Sequence, residues 1–547
     1  MKVTRNNTFL YFLLLIFFAA VTFGCYKKDF DKVKLANATP EYLYPLIDAE
    51  LSMKDIVDPN KKQLNVTEDA DGFYTFIYYQ ELYTQLITDL LKITDLAIAQ
   101  TVSLTTAEVA SLPTAGTITH SFTKSVTLAT THGEKLKTIN VKSGTLPLTI
   151  SSTFKHNVQV TVTFPYIKKN ALALTKTIDL NYVGGNTPVV STTPIDLAGY
   201  TIDCSENNTK VNTITYTASL KVTYKSGSPI TTAQKIDVTT GVSDVAYAYI
   251  NGYIGQYAFT IPKDSVAIDI FDNAYIGSVY FTDPKVRAII TNSVGAESTV
   301  KIDELTAESN IAGITNITGS IINTNIPILY PSLAEVGQSK STTIQLDKTN
   351  SNVQTIFNPA PNKIIYKMSG AINPGGESDN FATDSSYVRV RGEVEIPMEG
   401  RVTKFVLLDT IENISFPDIE INGANVSVLR ANFNVSLTNG FPMKTTIQMY
   451  FMDDANVILD SLFKTPGIIP SASIDAVGKV TTPTSMFLQE IFDEARYNRI
   501  TMSTKAVLYA SFSTPTTPNN VSVPVKIYSS YKIKSNIGVD VKANVSF

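Results

Sequence analysis

Proton transfer near neutral pH most often runs on histidine, and this chain of 547 residues has three: His120, His132 and His156. They lie in Thr- and Ser-rich sequence without the i, i+4 spacing that would bring two imidazoles to one metal ion, and they read as exposed loop and strand residues. Carboxylates are plentiful at 49, and a facing pair would suffice for glycoside hydrolysis. Spacing along a chain does not fix separation in space, so no pair stands out. Asp69-Ala70-Asp71-Gly72 opens like a calcium loop, but Phe73 and, at the twelfth position, Gln80 break the pattern and leave a solvated turn. The chain has no Gly-x-Ser-x-Gly elbow, no His-Glu-x-x-His, no Cys-x-x-Cys and no phosphate-cradling glycine loop. The sequence therefore assigns no catalytic residue, no metal ligand and no cofactor, and it points away from an enzyme.

Binding chemistry leaves a fainter trace. Phe73, Tyr74, Phe76, Tyr78, Tyr79 and Tyr83 form the densest aromatic stretch, and tyrosine faces can stack on sugars. Phe76 and Tyr78 would share one face of a strand with Tyr79 on the other, which is the layout of a core strand. Tryptophan, the richest stacking platform, is absent from the chain. Core packing is the expected role.

The elements that would position any site are strands. Ile214, Tyr216, Ala218, Leu220, Val222 and Tyr224 alternate with Thr215, Thr217, Ser219, Lys221 and Thr223, which predicts a half-buried strand. Val158, Val160, Val162 and Phe164 repeat the period, as do Val388, Val390, Val394 and Ile396, whose opposite face carries Arg389, Arg391, Glu393 and Glu395 and suits an edge or solvated surface. Apolar residues also alternate from Ile537 through Val539, Val541, Ala543 and Val545 to Phe547, which predicts the final strand of a sandwich, although the ending resembles the last strand of outer-membrane barrels. Helical spacing is confined to Pro40–Val57, Asn350–Phe357 and Asp493–Arg499. With no helical layer to cover them, the sheets must cover each other, so the expected fold is all-β: elongated tandem antiparallel β-sandwich modules with few short helices.

One internal repeat stands out. Thr291–Ile302 aligns without gaps on Thr438–Met449, each running from a strand through Asn-Ser or Asn-Gly and a Gly or Pro into a second strand. Both are predicted as strand–turn–strand hairpins. The expected division is 1–24 as an export leader, 25–60 as a tether, β domains at 61–200 and 311–399, and sandwich domains at 201–310 and 400–547, the last repeating part of 201–310.

The leader is read from Lys2 and Arg5, the apolar run Phe9–Val21 and then Thr22-Phe23-Gly24-Cys25. An apolar core of about 13 residues is short for a span that needs roughly 20, so cleavage is expected. The only other cysteine is Cys204, which excludes an internal disulfide network in the processed chain. A formal net charge of −4 gives no reason to expect a nucleic-acid partner.

Glycine followed by cysteine at the end of the leader resembles the lipobox of bacterial lipoproteins, with Thr22 and Phe23 departing from its commonest residues. The resemblance implies cleavage before Cys25, a diacylglycerol on its sulfur and an acyl group on its amine, hence a palmitate-type outer-membrane anchor. Tyr26-Lys27-Lys28-Asp29-Phe30-Asp31-Lys32 resembles the signal that sends lipoproteins of Bacteroidota to the cell surface. Pro40–Leu46, Leu51–Ile56, Asp71-Gly72-Phe73, Thr349–Val353, Asn373–Gly376, Asn380–Ser386 and Asn439-Gly440-Phe441-Pro442 are similar to segments of an uncharacterised group of Bacteroidota lipoproteins, which brings no activity with it. Asp264-Ser265-Val266, Asp409-Thr410-Ile411 and Asp460-Ser461-Leu462 resemble the O-glycosylation pattern of the same phylum, implying modification at Ser265, Thr410 and Ser461. Asp283-Pro284-Lys285-Val286, with the hairpin that follows it, is distantly similar to immunoglobulin-like and late-embryogenesis sandwich modules, a likeness of fold alone.

These readings lead to a non-catalytic surface lipoprotein that binds or scaffolds an unidentified protein or glycan. A lipid- or hydrophobe-handling protein, a carbohydrate-binding accessory lipoprotein and a carboxylate-dependent hydrolase are the rivals.

Overall fold

The computed structural model describes residues 39–52, 64–185, 187–272, 274–412, 425–519 and 521–546. Alternation does what the sequence predicts: in Thr213–Thr223 the side chains of Ile214, Tyr216, Ala218, Leu220 and Val222 are all buried. The fold is all-β, built from antiparallel sheets with a few short helices.

Strand pairing resolves these sheets into three modules with one topology. Each has eight strands in two layers, the first ordered first–eighth–third–sixth and the second ordered second–seventh–fourth–fifth; in the inner module Thr201–Asp203 pairs with the third and fourth strands and joins the two layers. The inner module takes Leu96–Ser103, Thr117–Thr127, Lys135–Ser152, Asn157–Lys169, Leu172–Leu180, Val189–Asp196, Thr213–Thr223 and Lys235–Tyr253. The middle module takes Tyr74–Leu86, Tyr257–Ala267, Lys285–Asn292, Ser298–Ser309, Gly313–Asn316, Lys340–Leu346, Lys363–Ile372 and Tyr387–Pro397. The outer module takes Glu41–Ser52, Glu399–Glu412, Asn425–Asn439, Lys444–Met452, Ile458–Ser461, Thr484–Asp493, Lys505–Ser513 and Lys532–Ser546.

The modules are nested. The whole inner module is inserted between the first and second strands of the middle one, and both together between the first and second strands of the outer one. The modules therefore do not follow the linear ranges 61–200, 201–310, 311–399 and 400–547. Tyr74–Leu86 is separated by about 300 residues from its partner Tyr387–Pro397, and local alternation carries no information about so distant a pairing.

The repeat is real but is not a hairpin. Asn292 ends a strand of one sheet and Ser298 begins a strand of the other, so the turn crosses the sandwich; Asn439 and Lys444 do the same. The Asn292 side-chain carbonyl accepts the N–H of Val294 at 2.9 Å, and its amide donates to the Leu329 carbonyl at 3.3 Å. Asn439 accepts from Phe441 at 2.8 Å and donates to the Pro470 carbonyl at 2.8 Å. In the inner module Ser152 takes this place, accepting from the N–H of Phe154 at 3.2 Å. All three are buried, and the residue after each donates its N–H to the first residue of the eighth strand, Lys235, Tyr387 or Lys532.

Two joints hold the modules together, both made at the end of the host where the insertion departs. At the inner joint, Asn380–Thr383, from the seventh-to-eighth connection of the middle module, adds a strand alongside the inner module's eighth. Asn373 donates to the Gly255 carbonyl at 2.8 Å, and Lys137 pairs with Asp379 at 2.7 Å. Gly295 lies flush on the Phe381 ring, where a Cβ would come within 2.0 Å of ring carbon. At the outer joint, Ala274–Phe281 pairs with Glu399–Glu412, and Tyr528 meets Phe73 edge-on at 5.8 Å. The apolar core is continuous across both joints, while the outer module keeps a second, smaller cluster around Phe451, Phe492 and Ile500.

Helices follow the expectations in part. Val353–Ile356 and Glu494–Ile500 form, but the Pro40–Val57 stretch contributes the strand Glu41–Ser52 because Lys532–Ser546 offers it an edge. The longest helix among the described residues, Thr106–Ala115, lies outside the three predicted segments although its signature is present: Thr105 and Glu108 form a reciprocal capping box.

Candidate functional site

Cys25, the leader and most of the tether lie outside the described residues. Of the three Asp-Ser/Thr triplets, Ser265 lies in the middle module, whereas Thr410 and Ser461 share one row of the second sheet of the outer module, at its two ends. Thr410 is exposed on the second strand of the outer module, and Ser265 is half-buried on the edge strand Tyr257–Ala267. The Ser461 hydroxyl donates to the Phe463 carbonyl at 2.9 Å, and its own carbonyl accepts from buried Arg496 at 2.6 Å. Asp460 is clasped by Arg496 and Arg499; burial pushes its carboxyl up, but the Ser461 N–H and the two guanidiniums outweigh that and hold it low.

The aromatic stretch is core, with Tyr74, Phe76 and Tyr78 buried, Tyr79 beneath the Arg391 guanidinium at 4.3 Å, and Tyr83 stacked on Phe259 at 6.0 Å. Asp69 closes its turn by accepting the N–H groups of Asp71 and Phe73, each at 2.9 Å. Among the described residues, no three His, Cys, Asp or Glu side chains gather as a metal would require. A mostly apolar cavity of about 40 Å³ between the sheets of the middle module, lined by Leu82, Ile302, Leu346, Tyr366 and Val394, is too small for an acyl chain.

The histidines do not converge. His120 faces Glu108 at 3.5 Å beside the helix. His132 stands at the inner joint, its ring 4.4 Å from that of Tyr257, whose hydroxyl donates to Glu134 at 2.9 Å. Burial pushes the Glu134 carboxyl up, but N–H groups including that of His132, and the Tyr257 hydroxyl, draw it below its ordinary value. His156 corrects the expectation of exposure: it is 1 % exposed. Its Nδ1 accepts the N–H of Lys225 at 3.0 Å, which places the proton on Nε2, a buried atom without a partner.

His156 belongs to the end of the inner module that corresponds to the insertion ends of the other two modules but carries no insertion. In the inner module this end consists of the helix-bearing connection 104–116 and the connections 153–156, 181–188 and 224–234. They are tied together. Tyr224 donates its N–H to the Gly116 carbonyl at 2.8 Å and stacks on His156 at 5.3 Å. Tyr182 donates its N–H to Asn157 at 3.1 Å, and the Lys225 ammonium donates to the Tyr182 carbonyl at 2.8 Å while lying 5.5 Å from its ring. Val183, at the tip, is 88 % exposed. No local sequence motif announces this end, because it gathers four connections from separate parts of the chain.

No family model and no curated protein matches the chain. Among solved structures, a protein of Parabacteroides distasonis described as secreted is 14% identical over 53% of this chain and 88% of its own, with a TM-score of 0.25. The infectious bursal disease virus Gx strain structure is 9% identical over 85% of this chain and 82% of its own, at 0.13. Dimeric latent PorU from Porphyromonas gingivalis is 9% identical over 73% of this chain and 34% of its own, also at 0.13.

Proposed function

We propose that the protein is a non-catalytic lipoprotein of the outer membrane, displayed on the cell surface, that holds the uninserted end of its inner module away from the bilayer to bind a partner. The observation that carries this reading is the nesting. Glu41 begins the outer module at the end opposite its insertion, and each host module then passes the next one outward from its insertion end. A thioether-linked diacylglycerol and an N-acyl chain on Cys25, at ~0.8 kcal/mol per buried CH₂, would hold such a stalk on a membrane durably. Metabolic labelling with an alkyne palmitate tests the anchor: label on the wild type and none on Cys25→Ala is expected, and equal labelling of both removes it. Protease applied to intact cells tests the face, with cleavage near Val183 expected and complete resistance assigning the protein to the periplasmic side.

A further inference from the structure

We propose that the uninserted end of the inner module is a binding site for an acidic polysaccharide, one bearing carboxylate or sulfate groups. The comparison that identifies it is internal to the molecule. The same end of the middle module docks a sandwich, and its seventh-to-eighth connection does so with Glu377, Asp379 and Asp384, which pair with Lys135, Lys137 and Lys142 at the base of the inner module. The corresponding connection of the inner module, 224–234, has no acidic residue and adds no strand. This end is therefore not equipped to receive another base of that kind.

What it has instead is basic, aromatic and rich in hydroxyls. Lys155 and Lys225 stand at this end, with Lys235 at its edge paired to Asp237 at 3.0 Å, while the nearby Glu108 is committed to capping the helix at Thr105. Tyr182 and Tyr224 supply rings suited to the apolar faces of sugars, and Ser226, Ser228, Thr231 and Thr232 surround them with donors and acceptors. The connections are preorganised by the bonds from Lys225 to His156 and Tyr182 and from Tyr182 to Asn157, so little ordering entropy remains to be lost on binding. A Lys ammonium has three donors, so Lys225 keeps N–H capacity for a carboxylate or sulfate after bonding the Tyr182 carbonyl. Buried His156 braces the platform: its ring backs Tyr224 while its Nδ1 fixes the Lys225 backbone.

This assignment rests on the display reading for its biological sense, but the test uses the purified full-length protein in detergent and so is independent of the anchor. Affinity electrophoresis through gels containing polygalacturonate, heparin or neutral dextran separates the carboxylated, sulfated and uncharged cases. Retardation by polygalacturonate or heparin, and none by dextran, is expected, with the stronger of the two identifying the acid group. Tyr182→Ala and Lys155→Glu should each weaken retardation by roughly tenfold. Lys176→Glu, the same charge change on the exposed fifth strand of that module, should leave it unaltered. Equal loss in Lys176→Glu would reduce the effect to net charge and overturn the site; retardation by dextran alone, or by none of the three polymers, would overturn the ligand class. Circular dichroism and melting of each variant separate loss of ligand from loss of fold.

Discussion

Asn292 and Asn439 stand 147 residues apart in the chain and do the same work in two modules. Each is buried at the end of a third strand, accepts the N–H two residues on, and donates to the carbonyl that follows a short strand paired with the fourth, Ile326–Ile328 in one case and Gly467–Ile469 in the other. Replacing either by alanine leaves a buried N–H unsatisfied, at a cost of about 1–3 kcal/mol, and takes the partner from a partly buried carbonyl. Asn292→Ala and Asn439→Ala should therefore each lower the denaturation midpoint clearly, whereas Ser152→Ala, which loses one 3.2 Å bond, should lower it less. A midpoint unchanged in both Asn variants would show that the crossover is held by the sheets alone.

Nesting makes a prediction about fragments that a linear division would not. A segment spanning 94–255 contains all eight strands of the inner module and should unfold cooperatively on its own. A segment spanning 257–397 lacks the first strand, Tyr74–Leu86, so Tyr83 would no longer cover Phe259 and the Tyr387–Pro397 strand would lose a neighbour. It should be poorly folded until 72–90 is restored through a short linker. Thermal melts of the three polypeptides check this, and a well-folded 257–397 would contradict it.

How much of this was legible depended on distance along the chain. Alternation identified strands such as Thr213–Thr223, and the Asn292 and Asn439 turns betrayed a duplication because both kept asparagine. The third copy was hidden by a single replacement: Ser152 does a similar job with one bond and shares no side-chain type with the other two. Glu41–Ser52 looked partly helical because its spacing is ambiguous, and only its partner Lys532–Ser546, nearly the whole chain away, decides for strand. His156 looked exposed because its neighbours Lys155 and Asn157 are polar; what buries it comes partly from Tyr224. The uninserted end could not be read at all until the pairing showed which connections share it.

Glu134 at the inner joint gives a pH dependence with a definite sign. Its carboxylate accepts from the backbone of Thr131 and His132 and from the Tyr257 hydroxyl, and its folded pKa lies below the ordinary 4.5. Its contribution is therefore complete above about pH 4.5 and is lost as the pH falls through the lower folded value. Cleavage of the 253–257 linker by a protease active from acid to neutral pH should rise in that range for the wild type. Glu134→Gln should show the raised cleavage already at neutral pH, with a flatter profile; identical profiles would remove Glu134 as the clasp.

His156 should act in a higher window. Burial disfavours the imidazolium, so the folded pKa lies below the ordinary value of 6.5. The unfolded chain then binds the proton first, and stability should fall as the pH drops from about 6.5 toward the folded value and level off below it. His156→Phe keeps a ring against Tyr224 but has nothing to protonate; it should flatten this part of the curve while losing the bond to the Lys225 N–H. Urea titrations across the range measure it, and a wild-type curve without slope between those limits would show that His156 is protonated without cost.

The three Asp-Ser/Thr triplets should not be modified equally, because a transferase needs the hydroxyl oxygen and room around it. Thr410 is exposed on its strand, so it is the best placed acceptor. Ser265 is half-buried on an edge strand, with its backbone N–H drawn to Asp264 at 2.8 Å, and comes second. Ser461 is the poorest: its hydroxyl is committed to the Phe463 carbonyl, its carbonyl to Arg496, and the Asp460 beside it to two guanidiniums. Intact-mass measurement on protein from its native cell should show a glycan-sized loss for Thr410→Ala and none for Ser461→Ala. The reverse order would mean that modification precedes folding, when the Arg496 clasp has not yet formed and only the local sequence decides.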